Sequence, residues 1–286
     1  MKGIQYLVAA LWLAAGATMA QEVTLLPTGL QDSVSGTPDI QEHAGSVTVT
    51  VRPSIDTRNR GSCRRAVTTH EVDGGIRCFF TNSGAIDPGC RINLATQLGN
   101  DTGGHQHSSN RPLGTVTPTT GLGSYQFTYT APEVSGQVNI VATGVSSSGQ
   151  PISPFTFHVN VETPGLVELR PSSLYRFIGA AGSHVQRFWG TPELVQSMIG
   201  LASDYHAAYP DHTLGINDMN LPKGGLFDFK GDWSEPHCGH RSNNADLRTN
   251  DIPMARRARL TQLIADNGMN LFDETGTISP HYHVSR

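Results

Sequence analysis

Hydrophobic and polar residues alternate along much of the first half of the chain. The alternation is clearest in residues 46–52, 124–130, 137–143 and 155–161, and turn residues separate these segments. Side chains two positions apart lie on the same face of a strand, so each segment is predicted to be a half-buried strand. Several short strands of this kind are typical of a sandwich. Residues 21–162 are therefore predicted to form an antiparallel β-sandwich of immunoglobulin-like type.

One stretch inside this half lacks the alternation. Residues 57–110 are irregular and rich in glycine, asparagine and serine, which favour turns. We therefore expect long loops there, with edge strands at most.

The second half has a different spacing of hydrophobic residues. Thr191 can cap a helix that begins with a proline, and hydrophobic residues then recur at helical spacing until Pro210. A second helix is predicted from about Pro253, with Gly268 closing its C-terminal end.

Short strand-like segments accompany these two predicted helices, at residues 213–217 and 281–284. The mixture predicts an α+β domain that covers residues 163–286, with a linker near residues 160–168. The whole chain is thus predicted to have two domains.

The N-terminus has the features of an export signal. Lys2 precedes an apolar run over residues 4–15, and small residues follow as far as Ala20. This pattern predicts a cleavable signal peptide over residues 1–20, with an uncleaved anchor as the alternative. The run is shorter than the ~20 apolar residues that a membrane span needs. The mature protein is therefore expected to be secreted or periplasmic, without stable membrane insertion.

The charge balance argues against one class of partner. Lysine and arginine number 20 and aspartate and glutamate 24, which gives a formal net charge of −4. A general nucleic-acid-binding protein would carry a basic surplus or a basic stripe. We therefore expect no nucleic-acid partner.

Export permits disulfide bonds, and the chain has four cysteines. They are Cys63, Cys78, Cys90 and Cys238. If all four are paired, Cys238 must join a cysteine of the first half. The alternative is one short-loop bridge and two free thiols.

The second half contains histidines in two tight pairs. His237 and His240 lie close to Asp246, and His281 and His283 form a His-x-His pair near the C-terminus. If this pair lies in a strand, both imidazoles face the same side. Catalytic zinc sites use three nitrogen, oxygen or sulfur ligands from the protein and leave a fourth position for water. The pattern therefore predicts a Zn²⁺ cofactor.

Another His-x-His pair, His105 and His107, lies in the irregular stretch of the first half. It admits two interpretations, a metal site or a pair of solvated loop histidines.

Residues 213–286, about a quarter of the chain, resemble a known family in the order and spacing of several blocks. These blocks are residues 215–225 (GINDMNLPKGG), Trp233, His240-Arg241, Ala245-Asp246-Leu247 and His281-Tyr282-His283-Val284. They are similar to the zinc peptidases that group the D-Ala-D-Ala carboxypeptidases, the penicillin-insensitive murein endopeptidases and the hedgehog N-terminal domain. The murein endopeptidase branch, which ends in His-x-His, is the most similar.

The resemblance implies a role for four residues. His240, Asp246 and His283 would be the zinc ligands, and His281 would be the catalytic residue next to the last ligand. The implied mechanism uses metal-bound water as the nucleophile, and His281 accepts its proton or stabilises the tetrahedral oxyanion.

The segment between the first two implied ligands is one residue shorter than in the family. His237 and Asp251 lie in the same region and could substitute as ligands. Residues that could support the site or contact substrate are His237, Arg241 and Glu274.

Three functions are consistent with these observations. The first is an exported zinc-dependent peptidase, a hydrolase acting on peptide bonds in peptidoglycan. The second is an exported binding or adhesion protein whose peptidase-like domain holds zinc, or is degenerate, without hydrolysis. The third is a structural exported protein whose histidines are incidental.

Overall fold

A computed structural model describes residues 22–32, 41–43, 46–56, 67–107, 110–178, 184–228, 236–237, 243–277 and 279–286. The predicted signal peptide, Cys63, Trp233, Cys238, His240 and Arg241 lie outside the described residues.

The described residues up to Val161, here called the first part, contain twelve strands. They are β1 (Val23–Asp32), β2 (Gln41–His43), β3 (Ser46–Val51), β4 (Ile55–Asp56), β5 (Val67–Thr68), β6 (Glu71–Phe80), β7 (Arg91–Leu98), β8 (Thr115–Thr117), β9 (Thr120–Leu122), β10 (Ser124–Thr130), β11 (Gly136–Val145) and β12 (Pro151–Val161).

Two sheets enclose the core of the first part. One has the order β1-β6-β10-β8, and the other has the order β2-β3-β12-β11-β7-β9. Strands β4 and β5 form a separate small pair. The pairing is antiparallel except between β3 and β12, which run parallel. The prediction of a purely antiparallel sandwich is therefore wrong at this pair.

Buried side chains on the inner faces of the two sheets pack against each other. Along β11, Val138, Ile140 and Ala142 are buried, and the residues between them are half-buried. The Phe127 ring packs edge-on against Phe157, with 5.3 Å between the ring centroids. The four predicted strands at these positions are confirmed as β3, β10, β11 and β12, because period-two burial is a direct consequence of strand geometry.

The irregular stretch contains two central strands that the sequence did not predict. β6 pairs with both β1 and β10, and β7 pairs with both β11 and β9. The alternation in β6 is interrupted at Gly74, where a Cβ atom would lie 2.4 Å from the Phe127 ring. A glycine that is needed for this close approach looks in the sequence like a loop residue.

A disulfide bond joins Cys78 of β6 to Cys90, which directly precedes β7. The bridge therefore connects the two sheets of the sandwich. Since Cys78 and Cys90 are paired with each other, Cys63 is the one cysteine of the first half that Cys238 could still join.

The second part of the chain follows Val161. Its described strands are β13 (Val167–Glu168), β14 (Tyr175–Phe177), β15 (Trp189–Gly190), β16 (Leu214–Asp218), β17 (Phe227–Asp228), β18 (Pro236–His237), β19 (Asn244–Arg248), β20 (Asn270–Asp273) and β21 (His281–Ser285). Its two helices are α1 (Pro192–Ala208) and α2 (Met254–Asp266).

Both helices occur where the sequence predicts them. The Thr191 side chain caps α1 by accepting a hydrogen bond from the backbone N–H of Leu194, at 3.2 Å. After α2, Gly268 has a φ of 69°, which is the left-handed conformation expected just beyond a helix C-terminus.

A five-stranded sheet, in the order β14-β16-β19-β21-β20, organises the second part. Its strands are antiparallel except for β14 and β16. Ala245, Leu247, Tyr282 and Val284 belong to the same core as the buried residues of α1 and α2. Because side chains alternate along a strand, the residues between them project from the opposite face.

The predicted fold class is wrong. The described part of the chain contains 21 strands and only two helices, so taken as a whole it is mostly β-sheet rather than a sandwich followed by an α+β, zinc-peptidase-like domain. Strands of two to five residues are too short to display a period of two, whereas the two helices are conspicuous in the sequence. The proposed boundaries at residues 20 and 162 stay predictions.

The two parts meet at a loop around Lys223. The Lys223 ammonium lies 2.8 Å from Asp101 Oδ2 and 2.6 Å from Glu162 Oε2. Ser135 Oγ donates to the carbonyl of Gly224 at 2.7 Å. These contacts place the loop that begins at Asp101 against the second part. Within the described residues, we find no helix with the length and apolar character needed to cross a membrane.

Candidate metal centre

The polar face of the five-stranded sheet brings together residues that the sequence singled out. In the antiparallel pairing of β19 with β21, Asp246 lies opposite His283 and Arg248 lies opposite His281. His281 and His283 are two positions apart and therefore share a face with Asp246. We call Asp246, His281 and His283 the sheet cluster.

The three side chains of the sheet cluster are in direct contact. Asp246 Oδ1 lies 2.8 Å from His283 Nδ1, and Asp246 Oδ2 lies 3.2 Å from His281 Nε2. One possible ligand atom from each residue can be chosen so that all three lie within 4.8 Å of one another. The Asp246 side chain is only 4% exposed, so its carboxylate depends on these neighbours rather than on water.

Hydrogen bonds fix the orientation of the His283 ring. Asn244 Nδ2 lies 3.0 Å from His283 Nε2, so the amide donates and the ring nitrogen accepts. His283 Nδ1 then faces the Asp246 carboxylate. Since Nε2 accepts, Nδ1 carries the ring hydrogen and donates it to the carboxylate, and a metal ion bound by both groups would take the place of that hydrogen.

His281 is held by a carbonyl and two carboxylates. Its Nδ1 lies 2.6 Å from the carbonyl oxygen of Ser279, and a carbonyl can only accept, so Nδ1 carries a hydrogen. Its Nε2 lies 2.8 Å from Glu274 Oε2 in addition to its contact with Asp246. The His281 ring is thus held through both of its nitrogens.

Strand pairing also explains the position of Glu274. The backbone N–H of Glu274 donates to the carbonyl of His281 at 3.1 Å, immediately after β20 ends. Glu274, which the sequence predicts as a supporting residue, contacts His281 in the structure.

A β-bulge adds a further carboxylate that the sequence did not reveal. Pairing between β16 and β19 is irregular between Ile216 and Asp218, and Asp218 becomes the partner of Asp246. A bulge changes the face to which the following side chain points. Burial lowers the pKa of Arg187, and the negative charge of Asp218 opposes this shift, so Arg187 and Asp218 interact.

Other predicted residues lie elsewhere or outside the described part. His240 and Arg241 are not described, and for His237 only the backbone is described, in β18 paired with Phe227. Asp251, the alternative ligand, instead contacts Arg176 and lies 3.7 Å from Arg248.

The donor atoms of the sheet cluster are of the kinds that bind zinc. Neutral imidazole nitrogen and carboxylate oxygen are both common zinc ligands. The contacts from Asn244 and Glu274 are the kind of outer hydrogen bonds that orient such ligands. The described residues thus supply two or three ligands.

Comparisons with known proteins do not extend this description. No protein-family model matches the chain, and no curated protein matches it. The solved structures with some similarity include the ASH / PapD-like domain of human CEP192 (PapD-like domain 7), with 13% identity over 56% of this chain and 96% of that chain and a TM-score of 0.28.

Two further solved structures show weaker similarity. A Bacteroides ovatus GH5 xyloglucanase in complex with a XXXG heptasaccharide has 10% identity over 57% of this chain and 25% of that chain, with a TM-score of 0.18. The sialic acid binding region of the Streptococcus sanguinis SK1 adhesin bound to 3'sLn has 8% identity over 88% of this chain and 69% of that chain, with a TM-score of 0.18. Similarity this low carries no argument about fold or function.

Proposed function

We propose that the protein is an exported zinc-dependent peptidase that hydrolyses peptide bonds in peptidoglycan. The observation that carries the proposal is the contact of Asp246 with both His281 and His283. The sequence resemblance of residues 213–286 to zinc peptidases and the signal-like N-terminus supply the reaction, the substrate class and the location.

In this proposal the residues of the sheet cluster have different roles. Asp246 and His283 hold the metal, with His240 as the third ligand. A bound zinc ion supplies Lewis acidity, which polarises a peptide carbonyl and makes water more acidic. His281 is the proton carrier rather than a ligand.

The surroundings of His281 support that role. Because Nδ1 donates to the Ser279 carbonyl, Nε2 is the atom that can take up and release a proton. The carboxylates of Glu274 and Asp246 lie beside Nε2 and can accept a hydrogen bond from a hydrogen carried there. An imidazole placed in this way can receive a proton from water and deliver it to the leaving amine.

Variants of the two histidines test these roles separately. In purified sacculi, His283→Ala is expected to abolish release of soluble peptide fragments and to remove the zinc ion held by Asp246 and His283. His281→Ala is expected to reduce hydrolysis by about 10²–10⁴-fold with the zinc content unchanged. His206→Ala, in a histidine of α1 remote from the sheet cluster in sequence, is the matched control and should change neither quantity.

Two results would contradict the proposal. Full hydrolysis by the His283→Ala protein would exclude the metal-dependent mechanism. Stoichiometric zinc in the wild-type protein without hydrolysis of any peptidoglycan would favour the binding-protein alternative.

A further inference from the structure

Two histidines of the first part and a third, distant in sequence, meet where the two parts of the chain come together. His105 and His107 belong to the loop that follows β7, and His184 precedes β15 in the second part. His105 and His184 are each only 2% exposed. We call these three residues the loop cluster.

The ring nitrogens of the loop cluster converge on one another. His184 Nε2 lies 3.1 Å from His105 Nδ1 and 3.3 Å from His107 Nε2. Ligand atoms of all three residues lie within 4.8 Å of one another. Two nitrogens at ~2.0–2.1 Å from a tetrahedral zinc ion are separated by about 3.3 Å, so both measured distances fit that geometry.

The rings are arranged around a common point. The planes of His105, His107 and His184 make angles of 80°, 81° and 90° with one another, and the ring centroids are 5.2–5.5 Å apart. Hydrogen bonds could also join these imidazoles, but one N–H···N bond connects only one pair of nitrogens and would account for only one of the two contacts. Two nitrogens that approach the same His184 Nε2 fit better around a metal ion, which bonds in several directions.

The loop that carries His105 is shaped for this position. Gly103 and Gly104 have φ values of 69° and 99°, which favour glycine. A Cβ atom on Gly104 would lie 2.6 Å from Pro222 Cδ, so the loop packs directly against the second part. The placement of His105 therefore follows from the backbone and does not require a metal.

We propose that the loop cluster is a second metal site, which binds a divalent ion of the zinc type through His105, His107 and His184. The site joins the first part of the chain to the second part. It shares no residue with the sheet cluster and does not rest on the proposed peptidase function.

Metal content measures the proposal directly. The wild-type protein, purified without chelators and equilibrated with Zn²⁺, is expected to bind one more zinc ion than His184→Gln when metals are counted by mass spectrometry. His107→Ala, in a residue that is only half-buried, should lose the same single ion. His206→Ala is the control and should keep the wild-type content. Adding His283→Ala to His184→Gln should remove a further ion, which distinguishes the two clusters.

Two further measurements test the proposal even if one of the variants fails to fold. Binding of the extra zinc should raise the Tm of the wild-type protein by on the order of 5 °C, and His107→Ala should lack this increment. An anomalous-scattering map at the zinc edge should show a peak among the three rings. Wild-type zinc content in both loop-cluster variants, or a map without this peak, would overturn the proposal.

Discussion

The sheet cluster and the loop cluster are assembled in opposite ways. Asp246 and His283 are direct partners in a regular antiparallel ladder, and His281 follows from the period of two. His105, His107 and His184 lie in loops, and packing between the two parts of the chain brings them together. The first arrangement depends on strand register and the second on the positions of distant loops.

This difference has a consequence for stability. Strand pairing fixes the sheet cluster within the second part alone, with a core of its own. The loop cluster requires the sandwich, the loop after β7 and the contacts around Lys223 to be in place together. Disturbing the first part should therefore affect the loop cluster more than the sheet cluster.

Removal of the Cys78–Cys90 disulfide is the strongest disturbance of this kind. Replacing both cysteines by serine opens a bridge with a sequence separation of 12, and the unfolding free energy should fall by about 3 kcal/mol. In urea, the metal of the loop cluster should be released at a lower concentration than in the wild-type protein. Metal release from the sheet cluster should change less.

Spectroscopy with Co²⁺ in place of zinc can follow each cluster separately. The loop cluster is followed in the His283→Ala variant, and the sheet cluster is followed in the His184→Gln variant. Equal shifts of both release midpoints would contradict the difference between the clusters. Reduction of the wild-type protein breaks the disulfide without any substitution and provides the reference for the serine variant.

The two clusters also show what the sequence could and could not predict. The sheet cluster was partly predictable, because a His-x-His pair in a strand must place both rings on one side. Its contact with Asp246 came from the resemblance rather than from any pattern. His184 was missed because it belongs to no motif, and its contact with His105 spans 79 positions.

The fold shows the same limit to prediction from the sequence. Capping by Thr191 and the helical spacing after it are local features, and α1 was predicted from them. Strand β6 was not predicted, because Gly74 and its close approach to Phe127 have meaning only after β6 is paired with β10. The bulge that places Asp218 beside Asp246 is likewise a property of pairing and not of sequence.

Beside the sheet cluster, Glu274 is the residue whose support of His281 can be measured. Glu274→Gln keeps the shape of the side chain and removes the charge beside His281 Nε2. Hydrolysis of sacculi should fall by about 10–100-fold, the usual effect of losing an outer hydrogen-bond partner. Zinc content should stay at the wild-type level in both clusters.

Asp273→Asn is the matched control. Asp273 precedes Glu274, but its carboxylate accepts hydrogen bonds from Thr275 instead of from His281. An equal loss of hydrolysis in both variants would show that local disorder, and not the charge at His281, is responsible.

The smallest expected effect concerns the contacts that hold the loop cluster in place. Lys223→Met removes the ion pairs with Asp101 and Glu162, whose side chains are partly exposed, and should lower the unfolding free energy by about 1 kcal/mol. Since Asp101 begins the loop that carries His105, zinc affinity at the loop cluster should fall by about fivefold, which corresponds to the same free energy. Affinity at the sheet cluster should not change, and a similar loss there would contradict the distinction between the two clusters.

The pH dependence of the Lys223→Met effect identifies the ion pairs as its cause. Burial alone would raise the pKa of Asp101, but its interactions with Lys223 and the Gly103 N–H outweigh burial and lower it. For Lys223, burial alone would lower the pKa, and the bonds to Asp101 and Glu162 raise it.

The Asp101 contribution to stability is therefore present above its ordinary pKa of about 3.9 and is lost as the pH falls through the lowered value. The Lys223 contribution is present below about 10.4 and is lost as the pH rises through the raised value. The stability difference between wild type and variant, measured by urea unfolding, should thus be constant from about pH 5 to pH 9 and should shrink progressively in acid. A difference that does not shrink in acid would point to lost packing of the lysine stem instead.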